Sequence, residues 1–226
     1  HSWVEISPSG EVIGLRRSAA WAKDQKLFFC IRFNTKIVKT EIYKNNQLQS
    51  GNKITGDNIK VIFRFEPVVH PILVKVGISG VDETGAQINL NTENPGWNFD
   101  SVKTAAYSMW DKELNKIRVE GGSSNDRKTF YTSLYHCMIS PNLFSDCDGR
   151  YRGMDDTIHK AENFNYYTVF SLWDTFRALH PLLTILDEKR TRDFILTFLA
   201  QYQQSGSLPV WELWGNETNC MIGYHS

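Results

Sequence analysis

The fold of this chain is decided at residues 94–114, which read NPGWNFDSVKTAAYSMWDKEL. A turn at Asn94-Pro95-Gly96 is followed by apolar residues at a spacing of about 3.6, as in a helix with one apolar face. These residues are Phe99, Val102, Ala106, Met109 and Leu114, the last preceded by Glu113. The stretch therefore predicts a helix that leaves a preceding domain, with a boundary near Asn94.

The residues before this turn have the pattern of short β-strands. Three runs, at residues 27–33, 59–65 and 72–76, are rich in β-branched and aromatic side chains, a composition typical of strands. Turn residues such as Asn45-Asn46 and Thr84-Gly85 separate such runs at intervals that suit an antiparallel sandwich. Residues 1–93 are therefore predicted to form a β-sandwich segment.

The residues after Gly121-Gly122 are predicted to be mainly helical. A first helix, capped by Asn125 or a neighbouring Ser, has an inward face and ends before a proline. That face is Phe130, Leu134, Cys137 and Met138, and the proline is Pro141. A second helix is predicted from Thr168 to about Leu186, interrupted before Pro181, and a third from Phe194 to Tyr202, stopping at Gly206.

These patterns together predict an α+β multidomain chain. Residues 94–122 form a linker helix region, and residues 123–226 begin a helical domain. Both ends have the pattern of cuts through a longer polypeptide, because Trp3-Val4-Glu5-Ile6 begins abruptly as a strand. At the other end, Asn216 or Thr218 has the position of a cap for a helix of residues 220–224 that runs into the C-terminus.

The charge balance excludes several classes of partner. Lys and Arg total 25, Asp and Glu also total 25, and like charges do not cluster. A nucleic-acid or anionic-membrane binder would need a basic patch, so we expect neither partner. Apolar runs also fall short of the roughly 18 residues that a membrane span requires. A neutral partner is the better expectation.

Neither the cysteines nor the acids predict a metal site. The four cysteines, Cys30, Cys137, Cys147 and Cys220, include no Cys-x-x-Cys pair, so reduced and mostly buried thiols are expected. A bridge between Cys137 and Cys147 in an oxidising compartment stays open. The irregular stretch 146–156 predicts a hairpin with a solvated acidic rim, because its acids lack EF-hand spacing. They are Asp146, Asp148, Asp155 and Asp156.

One candidate site surrounds Asn216 and Glu217, which lie close to Trp211 and Trp214. Carboxylates and amides bind sugar hydroxyls, and aromatic rings cover the C–H face of a pyranose. Alternatively, the segment caps a helix, with Glu217 favoured by the helix dipole. A third interpretation is an N-glycosylation sequon, since Asn216-Glu217-Thr218 matches the pattern.

A second candidate site is Trp173 with Asp174, where a carboxylate interrupts an apolar helical surface. A buried carboxylate is costly unless it is paired. The structural alternative is a pair with Arg177 three residues later. Both interpretations stay open on the residues alone.

Five stretches of the chain resemble glycoside hydrolase family 92, the calcium-dependent exo-acting α-mannosidases. They are residues 20–26 (AWAKDQK), 77–79 (GIS), 149–153 (GRYRG), 167–178 (YTVFSLWDTFRA) and 215–225 (GNETNCMIGYH). The resemblance implies an N-terminal β-sandwich, linking helices and the first part of an (α/α)6 barrel. It also implies a secreted or periplasmic protein that acts on a mannose-containing glycan, as in N-glycan degradation.

The implied reaction is inverting, calcium-assisted hydrolysis of a terminal α-mannoside, in which one acid protonates the leaving oxygen and another carboxylate activates water. By this resemblance, Trp173 and Asp174 belong to the wall that binds the mannose, with Asn216 and Glu217 in the same cleft. The general acid, the base and the calcium ligands are expected beyond residue 226, in the remainder of the polypeptide. Within the chain, Glu217 is the choice for an acid. We therefore expect the chain alone to be inactive.

Two other classes of function fit the same residues. One is a non-catalytic carbohydrate-binding segment, which holds a glycan without cleaving it. The other is a different (α/α)6 enzyme, such as a glycoside phosphorylase, because a fold does not fix a function. Phosphate dependence would distinguish the phosphorylase from a hydrolase.

Overall fold

The structure is a computed structural model, and it describes residues 2–222 of the chain. Its first part is built from eight strands: β1 (Ser2–Ile6), β2 (Val12–Ser18), β3 (Gln25–Phe33), β4 (Ile37–Lys44), β5 (Gln47–Gln49), β6 (Lys53–Gly56), β7 (Ile59–Phe65) and β8 (Val74–Ser79). They form a five-stranded sheet in the order β6-β1-β2-β3-β8 and a three-stranded sheet in the order β5-β4-β7. Neighbouring strands in both sheets are antiparallel, as predicted.

Aromatic side chains join the two sheets. Phe33 of β3 packs against Phe63 and Phe65 of β7, with ring centroids 5.3 and 5.0 Å apart. On β8 the side chains alternate between buried and exposed positions, with Lys75 and Ser79 buried. This period of two is the pattern of a sheet with one covered face.

A helix that the strand pattern did not predict covers part of the larger sheet. It is α1 (Glu83–Glu93), and the Asp82 carboxylate caps it by accepting a hydrogen bond from the Gly85 N–H at 2.6 Å. The predicted turn at Thr84-Gly85 is therefore wrong, because these residues form the first turn of α1. The helix packs closely on β8, and its Ala86 and Leu90 share a buried cluster with Cys30.

Gly77 is what allows α1 to approach the sheet. A Cβ atom at Gly77 would lie 2.2 Å from the Ala86 carbonyl oxygen and 2.6 Å from the Leu90 Cβ. Gly77→Ala is therefore expected to lower the free energy of unfolding by about 1–3 kcal/mol, the usual cost of overpacking. Chemical denaturation checks this. Gly96→Ala is the matched control, since a Cβ there meets nothing within 4 Å; equal stability of the two variants would contradict the close packing.

The two helices predicted between residues 94 and 141 are confirmed. They are α2 (Phe99–Leu114) and α3 (Ser124–His136). The Asn98 side chain caps α2 by accepting from the Ser101 N–H at 2.9 Å. Ser123, a neighbour of the predicted Asn125, caps α3 in a capping box with Asp126. Five large apolar side chains of α2 are exposed in the described part of the chain: Phe99, Val102, Tyr107, Met109 and Trp110.

The rest of the described chain alternates short strands with helices. These elements are β9 (Asn142–Leu143), β10 (Arg150–Arg152), β11 (Ile158–Lys160), β12 (Tyr167–Thr168), β13 (Phe170–Ser171), α4 (Leu172–Thr175), α5 (Leu179–Leu186), α6 (Glu188–Ser205), β14 (Trp211–Leu213) and β15 (Asn216–Glu217). Strands β10 and β11 form the predicted hairpin. Helix α6 ends at Gly206, whose φ of +80° confirms it as the terminating glycine.

Two of the predicted helices are wrong in part. The start of the predicted helix, residues 168–171, lies in β12 and β13, which pair with β9 and β14. Val169 between these strands has a φ of +67°. The helix after Asn216 is also wrong, because β15 pairs with β14 and residues 218–222 contain no helix. Gly223 and Tyr224, the end of that predicted helix, lie outside the described residues. The division into residues 1–93, 94–122 and 123–226 stays a prediction.

Candidate functional site

The structure brings together the two candidate segments that lie about forty residues apart in the sequence. Strand β13, which leads into α4 with Trp173 and Asp174, pairs with β14 of the hairpin that carries Asn216 and Glu217. In this pairing Ser171 lies opposite Trp211. The two segments therefore form one surface.

Asp174 lies on this surface with its side chain exposed. Its carboxylate accepts a short hydrogen bond from the Ser171 hydroxyl. Among the ion pairs formed by residues 2–222, none joins Asp174 to Arg177, so the structural alternative is not observed. Trp173 beside it is 40% exposed. Both side chains are available to a ligand.

A pocket of about 380 Å³ opens beside Asp174. Its wall includes Ser171, Trp211, His136 and His180. Burial lowers the pKa of His180 below its ordinary value, so the neutral imidazole prevails at neutral pH. A neutral imidazole has one donor and one acceptor nitrogen. The pocket thus offers a carboxylate, hydroxyl and imidazole groups together with an aromatic ring.

Trp211 also contacts the first domain of the chain. Trp21, in the segment between β2 and β3, packs edge-on against Trp211, with ring centroids 5.5 Å apart and planes at 83°. Trp21 is 60% exposed. Lys26, at the start of β3, makes ion pairs with Asp24 of that segment at 3.1 Å and with Asp156. The sheet domain therefore contributes an aromatic side chain to the surface.

Asn216 links the hairpin to that same segment. Its Oδ1 accepts from the Asp24 N–H at 3.2 Å, and its Nδ2 donates to the carbonyl oxygens of Asp24 and Trp214 at 3.4 and 2.9 Å. The amide is thus paired with the backbone of both neighbours. Glycosylation of Nδ2 would replace one of these bonds, which argues against the sequon as a modification site.

The helix N-terminus predicted around Glu217 is wrong, since Glu217 lies in β15. Its carboxylate accepts hydrogen bonds from three backbone N–H groups, those of Val210, Trp211 and Asn219, at 2.8, 3.1 and 2.8 Å. These bonds close the hairpin. They give Glu217 a structural role, and its assignment as a general acid has no geometric support.

Glu212 is the carboxylate that the sequence patterns did not single out. It is fully buried and accepts hydrogen bonds from the Val169 N–H at 3.0 Å, the Gly215 N–H at 2.7 Å and the Thr168 hydroxyl at 2.8 Å. Burial raises the pKa of Glu212 to about 7, and the nearby Glu217 carboxylate acts in the same direction. The sequence signal that could have revealed this buried acid is its position within the otherwise apolar run from Trp211 to Trp214.

The acids of the predicted hairpin rim have separate roles. Asp146 is buried rather than solvated, and it accepts from the Ser79 hydroxyl at 2.6 Å and the Asn89 amide at 2.7 Å. Asp148 pairs with Arg150, and Asp155 contacts His159. Within residues 2–222, groups of three or more His, Cys, Asp or Glu side chains that could hold a metal ion are absent.

The cysteines are free thiols, and only one of the four is buried. Cys30 lies in the core, Cys147 is exposed, and Cys137 and Cys220 are half-buried. The predicted burial of most of them is therefore wrong, and Cys137 and Cys147 form no bridge. The described helices also include none that is long and apolar enough to cross a membrane.

Comparison with known proteins identifies two matching family models. Residues 85–226 match the glycosyl hydrolase family 92 catalytic domain, and residues 1–79 match the family's N-terminal domain. A family GH92 α-mannosidase from Bacteroides thetaiotaomicron has a similar structure, with a TM-score of 0.93 and 33% identity over 99% of this chain and 32% of that one. A family GH92 inverting mannosidase from the same organism has a TM-score of 0.90 and 26% identity, over 99% and 31%.

A curated relative gives a shorter match. An uncharacterized secreted glycosidase from Arthroderma benhamiae is 36% identical over 78 residues, which are 33% of this chain and 10% of the relative. The chain thus spans about a third of the length of the solved structures that it resembles, and less of this relative.

Proposed function

The chain belongs to glycosyl hydrolase family 92, and from that membership we propose that it forms part of an enzyme that removes terminal α-linked mannose from a glycan. The observation that supports this best is the pocket lined by Asp174 and Trp211, with Trp21 packed against Trp211. The exposed Trp173 lies next to Asp174 in the sequence. Aromatic rings cover the C–H face of a sugar, and an exposed carboxylate accepts hydrogen bonds from its hydroxyls.

On this proposal, residues of the chain bind and orient the mannose. Asp174 accepts hydrogen bonds from two neighbouring hydroxyls, and Ser171 holds the carboxylate in place. His180, kept neutral by burial, lies on the same pocket wall and is suited to bond a third hydroxyl. Trp21 brings the sheet domain into contact with the sugar. Asn216 acts indirectly, since it fixes the Trp21 segment to the hairpin.

The proton transfers are assigned to residues outside this chain. Inverting hydrolysis requires two carboxyl groups roughly 6.5–9.5 Å apart on opposite sides of the sugar. Asp174 is the exposed carboxylate of the pocket, while Glu217 and Glu212 are occupied by backbone donors. We therefore propose that the remaining polypeptide supplies both the acid and the base of an inverting reaction.

Calcium is likewise assigned to the rest of the enzyme. The described residues do not fit a calcium site, because they contain no cluster of carboxylates and other ligands. We also propose secretion, or export to the periplasm, on the basis of the relative named as a secreted glycosidase.

An assay with an aryl α-mannoside and calcium tests the proposed function. The intact enzyme, meaning the longer polypeptide with the complete catalytic domain, is expected to release mannose of inverted anomeric configuration. The 226-residue chain alone is expected to show no turnover, because it lacks the acid and the base. Turnover by the chain alone would contradict the assignment of these groups. Binding without cleavage by the intact protein would favour a carbohydrate-binding role, and phosphate-dependent cleavage a phosphorylase.

A further inference from the structure

We propose that Glu212 and Thr168 are positioning residues, which together set the geometry of the sugar-binding surface from beneath it. This inference rests on the proposed function, because the surface is the one assigned above to mannose. Neither residue has an atom on that surface, since both side chains are fully buried. They act through the backbone of the two segments that carry the exposed side chains.

The first contact of this pair is with the segment that leads to Asp174. Glu212 accepts a hydrogen bond from the Val169 N–H at 3.0 Å. Val169 has a φ of +67°, a conformation in which a β-branched residue is a true outlier. Such a strained residue persists only where surrounding contacts enforce its conformation. The carboxylate of Glu212 is such a contact.

The second contact is with the turn of the hairpin. Trp214 has a φ of +55°, and its N–H donates to the Thr168 hydroxyl oxygen at 2.8 Å. The next N–H, that of Gly215, donates to Glu212 at 2.7 Å. The Thr168 hydroxyl in turn donates to Glu212 at 2.8 Å. Both left-handed residues therefore have their N–H groups bonded to the same buried pair.

These two backbone positions determine where the exposed side chains lie. Val169 precedes Phe170 and Ser171 of β13, and Ser171 both pairs with Trp211 and bonds Asp174. Trp214 and Gly215 form the turn before Asn216, which bonds the Trp21 segment. A change at the buried pair thus displaces Asp174 on one side and Trp211 with Trp21 on the other. Such displacement weakens sugar binding without removing any contacting group.

Four variants of the intact enzyme test the proposal by the Michaelis constant for an aryl α-mannoside. Glu212→Gln leaves at least one of the N–H groups unpaired, and Thr168→Val removes the hydroxyl at constant shape. Both are expected to raise KM by about tenfold, the equivalent of one lost hydrogen bond of about 1.4 kcal/mol. Thr168→Ser keeps the hydroxyl and should retain the wild-type KM.

Asp146→Asn is the matched control for burial, because Asp146 is also a buried carboxylate with two side-chain partners. It should lower the melting temperature without raising KM. If Glu212→Gln and Thr168→Val are folded and keep the wild-type KM, or if Asp146→Asn raises KM equally, the positioning role is wrong.

Failure of the proposed function would be visible separately, as absence of mannoside cleavage by the wild-type enzyme. The positioning role is then decided by crystal structures of the two variants. Release of Val169 and Trp214 from positive φ supports it, and retention of both left-handed conformations contradicts it. These backbone conformations do not depend on which sugar the enzyme cleaves.

Discussion

Replacing Asp174 by alanine in the intact enzyme is expected to lower kcat/KM for a terminal α-mannoside by roughly 10²- to 10⁴-fold. The reason is that each hydrogen bond to a charged group contributes about 1.5–3 kcal/mol, and the carboxylate is proposed to accept two. The fold should persist, because the Asp174 side chain is exposed and bonds the hydroxyl of Ser171, three residues earlier. Steady-state kinetics together with thermal unfolding check both parts.

Ser171→Ala is the matched control for the Asp174 variant. It removes the hydroxyl that bonds the carboxylate and leaves the carboxylate itself, so only a small loss of kcat/KM is expected. A near-normal activity of the Asp174→Ala enzyme would return Asp174 to a structural role. Equal losses in the two variants would instead show that the orientation of the carboxylate decides binding.

The sequence predicted the larger division of the fold because the hydrophobic period changes at one place. Period-two patterns end at β8, and the helical spacing that starts at Phe99 corresponds to α2. Strands and helices that bury one face leave this trace in a sequence. Helix α1 leaves little trace, since Thr84-Gly85 suggests a turn and Asp82 supplies the cap only in the folded chain.

Tertiary pairing explains the errors around the site. Residues 167–171 have helical spacing, yet they are strands because β9 and β14 pair with them. The segment at Asn216 has cap-forming residues, yet its backbone completes a hairpin with β14. Strands β9 and β14 are distant in sequence from residues 167–171, and the pairing of β15 with β14 depends on a turn in which Trp214 is left-handed. Local propensity therefore could not reveal these pairings.

The same reason explains where the structure places the predicted site residues. Trp173 and Asp174 were predicted from a carboxylate in an apolar face, and the structure leaves both exposed, with Asp174 at a pocket. Glu217 stood out as an acid beside an amide, but three backbone N–H groups occupy it. Glu212 has its partners on β12 and in the hairpin turn, so its burial is a property of the pairing.

The burial of Glu212 leads to a second large effect, on the pH dependence of stability. Its pKa is raised from 4.5 to about 7 by burial. A raised folded-state pKa contributes stability that is complete below pH 4.5 and is lost as the pH rises through 7. The shift corresponds to a loss on the order of 3 kcal/mol across this range.

Urea denaturation of the wild-type chain and of Glu212→Gln between pH 4.5 and pH 8 measures this loss. It is the change with pH in the difference between their free energies of unfolding. The glutamine adds a cost for an unpaired N–H, about 1–3 kcal/mol, that does not change with pH. Only the change of the free energy of unfolding with pH is therefore informative. As the pH rises, the wild type should lose stability relative to the variant. Parallel curves for the two proteins would show that the carboxylate is already ionised at low pH, stabilised by the N–H groups of Val169 and Gly215.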